Sequence, residues 1–294
     1  MNKQQDRSSF IAHRSSFVLP RERTLTIPRP PGVMGVINVT PDSFSDGGVH
    51  LDHAKAVHAA LQMEQDGALV IDIGGESTRP GSEPVAAQTE IDRVVPVIEQ
   101  IRQRSDVPIS IDTQKGAVAD EALKAGADII NDVSALRYSA GMPAIAARAK
   151  VPVILMHMRG VPQTMQKNIQ YDDVVSEVGS ELTAFRDAAV AAGVDASQIL
   201  IDPGIGFGKT FDHNLEILAR ASELTPIAPL VIGASRKGFI GHLTGREAGP
   251  ERAMGSLAAV AAAHRAGATL VRVHDVRETI DFLKVLTAIA EKER

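Results

Sequence analysis

The sequence predicts an α/β protein of one domain, a parallel (β/α)8 barrel of the TIM type preceded by a loose N-terminal arm. Three observations predict it. Eight short apolar runs rich in β-branched residues recur along the 294 residues, each followed by an amphipathic helical pattern, and that alternation builds a parallel sheet covered by helices. Residues 31 to 294 fill the roughly 250 positions such a barrel needs and leave no room for a second domain. Polar residues close the apolar runs: Asn38, Asp72, Asp112, Asn131, His157, Asp202, Ser235 with Lys237, and Arg272 with His274. In a closed barrel these ends meet at one face, where carboxylates, amides and cations can surround a single polar ligand.

Residues 1 to 30 mix charged and polar side chains without an apolar stretch of signal-peptide length. They are read as an N-terminal arm, partly flexible, with about the first 20 residues loose. The first strand is expected at 33–37 and the first helix at 52–66, with a Thr-, Pro-, Ser- and Gly-rich segment between them. The second strand, 69–73, reaches a helix at 87–104 through another long Gly-, Pro- and Ser-rich segment. Both segments exceed the usual strand-to-helix turn and fall at the ligand-binding end, as lids or binding loops do. Strands at 107–111, 128–131 and 151–156 precede helices at 115–125, 140–149 and 171–192. The last three strands, 198–201, 229–233 and 269–273, precede helices at 212–223, 251–266 and 275–291. Gly67, Gly126, Gly193 and Gly267 each follow a helix at a C′ position, and their repeated phase has the rhythm of a barrel.

Composition narrows the class of function. With 44% hydrophobic and 23% charged residues the chain is a soluble globular protein with an aliphatic core, since Trp is absent and aromatics are 3%. A net charge of −5 argues against a general nucleic-acid or acidic-membrane surface, so an anionic ligand should be small and locally held. No run approaches the ~18 residues of a membrane helix. The absence of cysteine excludes disulfides, thiolate metal sites and a Cys nucleophile, and any metal must be bound by oxygen or His. Cytoplasmic residence is the default expectation.

Chemistry concentrates in a few segments. Met34 to Gly48 reads MGVINVTPDSFSDGG, and Asn38 at its strand end can offer a neutral oxygen to a hard cation, or serve only as a turn residue. Asp112, Asn131 and Asp202 are short acceptor-bearing side chains at three strand ends, suited to a planar heterocycle with adjacent N–H donors, although any one Asp alone is more often a helix cap. Met156 and Phe207 adjoin the same face and can pack on such a plane, though their commoner role is core. Lys237 lies in a loop, and a Schiff-base role competes with substrate binding. Arg272 and His274 flank the last strand end, a common place for barrel phosphate sites, although His274 alone could serve the following helix. The run ending Gly208-Lys209-Thr210 looks like a phosphate loop, but Pro203 stands where that loop requires Gly. His213, His242 and the histidines at 50, 53 and 58 lack metal-binding spacing and are read as solvated.

The segment 34–48 resembles the first signature of the dihydropteroate synthase family, the pterin-binding enzymes of folate biosynthesis. Ile71 to Gly81 (IDIGGESTRPG) resembles the second signature. SIDT at 110–113, NDV at 131–133, LMHM at 155–158, DPGIGFGK at 202–209, SRKGF at 235–239 and RVHD at 272–275 follow in the family's order. The resemblance implies condensation of 6-hydroxymethyl-7,8-dihydropterin pyrophosphate with 4-aminobenzoate, giving 7,8-dihydropteroate and pyrophosphate. It assigns the pterin to Asp112, Asn131, Met156, Asp202, Gly206, Phe207 and Lys237, and the pyrophosphate to Asn38, Arg272 and His274. Mg²⁺ is expected as cofactor, held through Asn38. Phe44, Thr78, Arg79 and Pro80 are expected near 4-aminobenzoate, with Gly238 offering no side chain there. Asn38, Arg79, Lys237, Arg272 and His274 form the catalytic set, acting by positioning and electrostatics without a strong general base. The resemblance further implies a homodimer and a target for sulfonamides. The rival readings are a pterin-binding methyltransferase module and a non-catalytic pterin-binding protein.

Overall fold

The computed structural model describes residues 15–27, 31–40, 48–78, 81–161 and 163–292. Phe44, Arg79 and Pro80, expected near the second substrate, lie outside the described residues. Strands β1 (Ser15–Leu19) and β2 (Arg23–Ile27) pair antiparallel as a separate hairpin. The barrel strands are β3 (Gly32–Asn38), β4 (Val70–Gly74), β5 (Ile109–Asp112), β6 (Ile129–Asp132), β7 (Val153–Met156), β8 (Ile199–Asp202), β9 (Val231–Ile232) and β10 (Leu270–Val273). Their order is β8-β7-β6-β5-β4-β3-β10-β9, every pairing is parallel, and a bridge between Ile201 and Leu230 brings the two edges together. The barrel expected from the eight apolar runs is therefore present.

Helices α1 (Gly48–Gln65), α2 (Ala87–Arg102), α3 (Gly116–Ala125), α4 (Met142–Ala149), α5 (Val174–Ala191) and α6 (Phe211–Arg220) follow β3 to β8 in turn. After β9 come two helices, α7 (Gly238–Thr244) and α8 (Ala253–Ala266), where the periodicity marks one, and α9 (Val276–Ala290) follows β10. Helix α7 is a two-turn segment, too short to carry a readable apolar stripe. Asp173 caps α5 by accepting hydrogen bonds from the Val175 and Ser176 amides, each at 3.1 Å. His213 is not simply solvated: its Nδ1 accepts from the Thr210 amide while Thr210 Oγ1 accepts from the His213 amide, which closes the first turn of α6. His53 is also buried, contrary to a solvated reading. The four glycines expected after helices all have positive φ, as in the left-handed caps of Gly126 at 120° and Gly267 at 78°.

Two apolar layers result. One lies between the strands and the helices, built from outward strand residues such as Ile71, Ile73, Ile109 and Ile111 with inward helix residues such as Val94, Ile98 and Leu182. The other fills the bottom of the barrel with Met34, Val70, Ile129, Ile154, Leu200, Val231 and Leu270, drawn from seven of the eight strands. Phe17, Leu19, Leu25 and Ile27 of the hairpin belong to this second layer, and all four are at most 5% exposed.

The loose-arm reading is thus corrected for residues 15–27, which plug the N-terminal mouth of the barrel. The signal was short: alternate residues of two five-residue strands, interrupted by Pro20-Arg21-Glu22, which reads as polar tail. Polar latches hold the plug. Gln198 pairs with the edge of β1, accepting from the Val18 amide at 3.1 Å and donating to its carbonyl at 2.6 Å. Arg21, Arg23 and Arg102 converge on the buried carboxylate of Asp128, which also accepts from the Ile109 amide at 3.0 Å.

Truncating Phe17 to alanine would leave a cavity under the barrel floor, so Phe17→Ala is expected to cost about 3 kcal/mol of unfolding free energy. Urea unfolding reads this directly; a loss below about 0.5 kcal/mol, as for an exposed arm, would refute the plug.

Candidate functional site

The barrel interior changes character from bottom to top. Side chains alternate across a strand, so Met34 and Val70 point inward in the apolar layer and Asp72, two residues on, points inward above them. The register pairs Asp72 with Ser110, Asp112 with Asn131 and Met156 with Asp202, which sets polar side chains at the upper end of neighbouring strands. Arg272 pairs with Met34 and reaches upward from β10. Its guanidinium donates through Nε to Asp72 Oδ2 and through Nη2 to Asp112 Oδ2, both at 2.6 Å. Asn131 Nδ2 donates to the Asp72 carboxylate at 3.2 and 3.4 Å. With the amide nitrogen committed to an acceptor-only carboxylate, the Asn131 oxygen remains as a hydrogen-bond acceptor.

A narrow cleft opens above this network, lined by Thr78, Asp112, Asn131, Val133, Met156, Asp202, Gly204, Ile205, Phe207, Gly233, Lys237 and Arg272. The structure therefore brings together Asp112, Asn131, Met156, Asp202, Phe207, Lys237, Arg272 and Thr78 from the expected set. Lys237 Nζ lies 4.3 Å from the centroid of the Phe207 ring, and the Lys237 stem runs past Gly206, where an added Cβ would meet its Cδ at 3.3 Å. Met156 and Phe207 join Val133, Met158 and Met165 in a small apolar cluster separate from both core layers. One wall is thus apolar, and the others carry carboxylates, an amide and two cations.

Burial and neighbouring charge set the ionisation of these groups. Burial pushes the Asp112 carboxyl up to about 7 against the pull of Arg272, and the Asp72 charge adds to the rise. Asp202 is also raised by burial, opposed by the Gly204 amide that donates to its Oδ1 at 2.7 Å and by Lys237 and Arg272. Burial works against the Arg272 charge, but the two carboxylates more than reverse this and hold it above the ordinary guanidinium range.

His274 and Asn38 lie next to this cleft in the fold, on β10's exit and the end of β3, adjacent strands of the barrel. Ser235 Oγ accepts from the His274 amide at 3.2 Å and lies 3.0 Å from its Nδ1, so the hydroxyl proton is available to Nδ1. Burial, with Arg272 and Arg236 nearby, pulls His274 down to about 4. At neutral pH it is an uncharged imidazole, and in the tautomer whose Nδ1 accepts from Ser235 its Nε2–H would meet an anion as a hydrogen-bond donor and not as a cation. Arg236 does not add a free cation, because it pairs with Asp275. Gly238 opens α7 and is not part of the cleft lining.

Some site residues escaped the sequence reading. Asp72 is one of them: its place at a strand end carries no role in the sequence, although a carboxylate inside the apolar strand VIDIG has to find a partner, as has Arg272 inside LVRV. Glu76 accepts from Lys115 Nζ at 2.6 Å and from the Val85 amide at 2.8 Å, and Lys115 also binds Glu90 at 2.6 Å. This trio, with Glu90 buried and the other two partly so, anchors the loop that presents Thr78. Among the described residues no group of three or more His, Cys, Asp or Glu could hold a metal ion.

Comparison with known proteins agrees with this geometry. Residues 34–274 match the family described as pterin binding enzyme. The chain is 47% identical over 260 residues to dihydropteroate synthase of Escherichia coli, covering 88% of this chain and 91% of that one. A solved dihydropteroate synthase of Xanthomonas albilineans with 4-aminobenzoic acid superposes with a TM-score of 0.88 at 46% identity, covering 95% of this chain and 99% of that one. The same enzyme in complex with 7,8-dihydropteroate gives a TM-score of 0.83 at 45% identity, covering 91% and 96%. Signatures, barrel and cleft converge with these likenesses, and the chain belongs to the dihydropteroate synthase family of pterin-binding enzymes.

Proposed function

We infer that this protein joins 6-hydroxymethyl-7,8-dihydropterin pyrophosphate to 4-aminobenzoate, releasing 7,8-dihydropteroate and pyrophosphate. The observation that carries the reading is the cleft in which Asp112, Asn131 and Asp202 present acceptors beside the Met156 and Phe207 wall. A pterin offers the complement, a flat ring with an edge of adjacent N–H donors, and a carboxylate accepts two such hydrogen bonds side by side. Lys237 over Phe207 closes the far side and can donate to a ring oxygen or nitrogen.

The reaction breaks the bond between the exocyclic methylene carbon and the leaving oxygen, while the aromatic amine forms the new C–N bond. Negative charge grows on pyrophosphate, and the dihydropterin ring supports positive charge at the methylene. Arg272 on β10 and His274 just after it would supply one cation and one neutral N–H donor to the leaving group. The amine is neutral at pH 7 and loses its proton after attack, which leaves orientation as the main requirement. Thr78, with Arg79 and Pro80 following it in sequence, is read as the aminobenzoate side together with Phe44, and the Glu76–Lys115–Glu90 trio holds that loop root. Asn38 would hold Mg²⁺ through its neutral side-chain oxygen, and the ion would neutralise charge on the leaving group when bound. A homodimer is the read assembly, supported by the exposed apolar side chains of Leu243, Met254, Val285 and Ile289 on α7, α8 and α9. Among the described residues no helix is long and apolar enough to cross a membrane.

Purified protein given the dihydropterin pyrophosphate and Mg²⁺ should release pyrophosphate only when 4-aminobenzoate is added, with dihydropteroate identified by mass. Pterin binding without turnover would favour a non-catalytic binder, and methyl transfer to a corrinoid would favour the methyltransferase reading. Arg272→Ala is expected to lower kcat/KM about 100- to 1,000-fold, since it removes the leaving-group cation and strands Asp72 and Asp112; unchanged turnover would count against the assignment. Pterin recognition needs the Asp112 carboxylate ionised, and its free-state value is about 7. Binding should therefore be strong above pH 7 and weaken as pH falls, by about tenfold from pH 8 to pH 6. Titrating a non-reacting pterin measures this, and Asp112→Asn should flatten the profile as well as weaken binding.

A further inference from the structure

We propose that Lys209 is a positioning residue for the pterin, whose buried side-chain nitrogen fastens the loop from Gly204 to Phe207 onto the end of β7 and so fixes one wall of the cleft. The inference rests on the pterin reading above. Lys209 is 2% exposed, among the most deeply buried side chains of the protein, and is not part of the cleft lining. Its Nζ lies 2.9 Å from His157 Nδ1, 3.0 Å from the Phe207 carbonyl and 3.1 Å from the Gly204 carbonyl. Three acceptors face Nζ, one for each N–H of its ammonium form, and burial pulls the group down to about 7 against the opposing charges of Asp202 and Glu181. The histidine tautomer follows: Nδ1 accepts from Lys209, so Nε2 carries the hydrogen and donates to Glu181 Oε2 at 3.0 Å. Burial holds His157 near 4, which keeps the ring neutral and Nδ1 able to accept. Arg159 in turn pairs with Glu181 and Glu177.

The loop needs such a fastening. Gly204 and Gly206 have φ of 67° and 85°, in the left-handed region, and glycines give a segment little preference for one shape. The loop also presses on the β7 exit so closely that a Cβ at Gly204 would lie 1.9 Å from the His157 carbonyl oxygen. Gly204, Ile205 and Phe207 all line the cleft on its other side. A lysine behind the loop therefore governs where the apolar wall stands and, through Gly204, where Asp202 is held.

Lys209→Met keeps the stem and removes the three hydrogen bonds. His157→Phe keeps a ring in place and removes only the Nδ1 and Nε2 contacts. Calorimetric titration with 6-hydroxymethylpterin, pyrophosphate-release kinetics and thermal unfolding would be measured for the parent, both variants and the double variant. The proposal expects Lys209→Met to weaken pterin binding by about tenfold or more. Its KM for 4-aminobenzoate should stay within about twofold, while the pterin KM rises. His157→Phe should lose less, and the two losses should not add. Unchanged pterin affinity in Lys209→Met overturns the proposal, and so does loss of affinity that only tracks loss of folded protein in both variants. If the parent protein binds no pterin, the functional reading itself has failed.

Discussion

Inside the barrel one guanidinium has to neutralise two carboxylates in a place that water reaches only from above. Arg272 sits between Asp72 and Asp112, and Asn131 completes the set from the next strand. An unpaired charge at any of these positions would be costly to bury, so the members hold one another in place. The polar layer can exist because an apolar layer and a hairpin plug seal the barrel beneath it. The site above inherits its geometry from that arrangement: Asp112 faces both Arg272 and the cleft, and its raised ionisation reflects the compromise.

Around this centre the loops are fixed by buried polar contacts more than by regular structure. Glu76, Lys115 and Glu90 anchor the loop after β4, Lys209 and His157 anchor the loop after β8, and Ser235 anchors His274 after β10. The first two anchors lie behind residues that line the cleft, Thr78 and Phe207 among them, and the third holds a histidine next to it. Catalysis by orientation and electrostatics demands such backing, because a displacement of about 1 Å in a substrate-facing group is enough to lose rate.

Much of the fold was legible because its signals are local. A parallel strand buried on both faces needs a continuous apolar run, and a helix end before such a strand needs a residue tolerant of positive φ, as Gly126 and Gly267 illustrate. Three of the cleft residues were legible for a related reason: Asp112, Asn131 and Asp202 break apolar runs at strand ends, where barrel topology collects them. The hairpin plug was not legible, since the apolar faces of Phe17 with Leu19 and of Leu25 with Ile27 are short and gain meaning only against the barrel floor. Helix α7 was missed because two turns carry no stripe.

By itself the sequence determined the eight-unit barrel, the family signatures in order and the side chains gathered at one face. Tertiary structure alone decided which partners those side chains take: Arg272 bound to Asp72 and Asp112, His274 neutral against Ser235, and Lys209 buried behind the β8 loop. The physical reason is range. Strand period and helix caps act over a few neighbouring residues, whereas Asp72 and Arg272 are separated by 200 positions and meet only when the barrel closes.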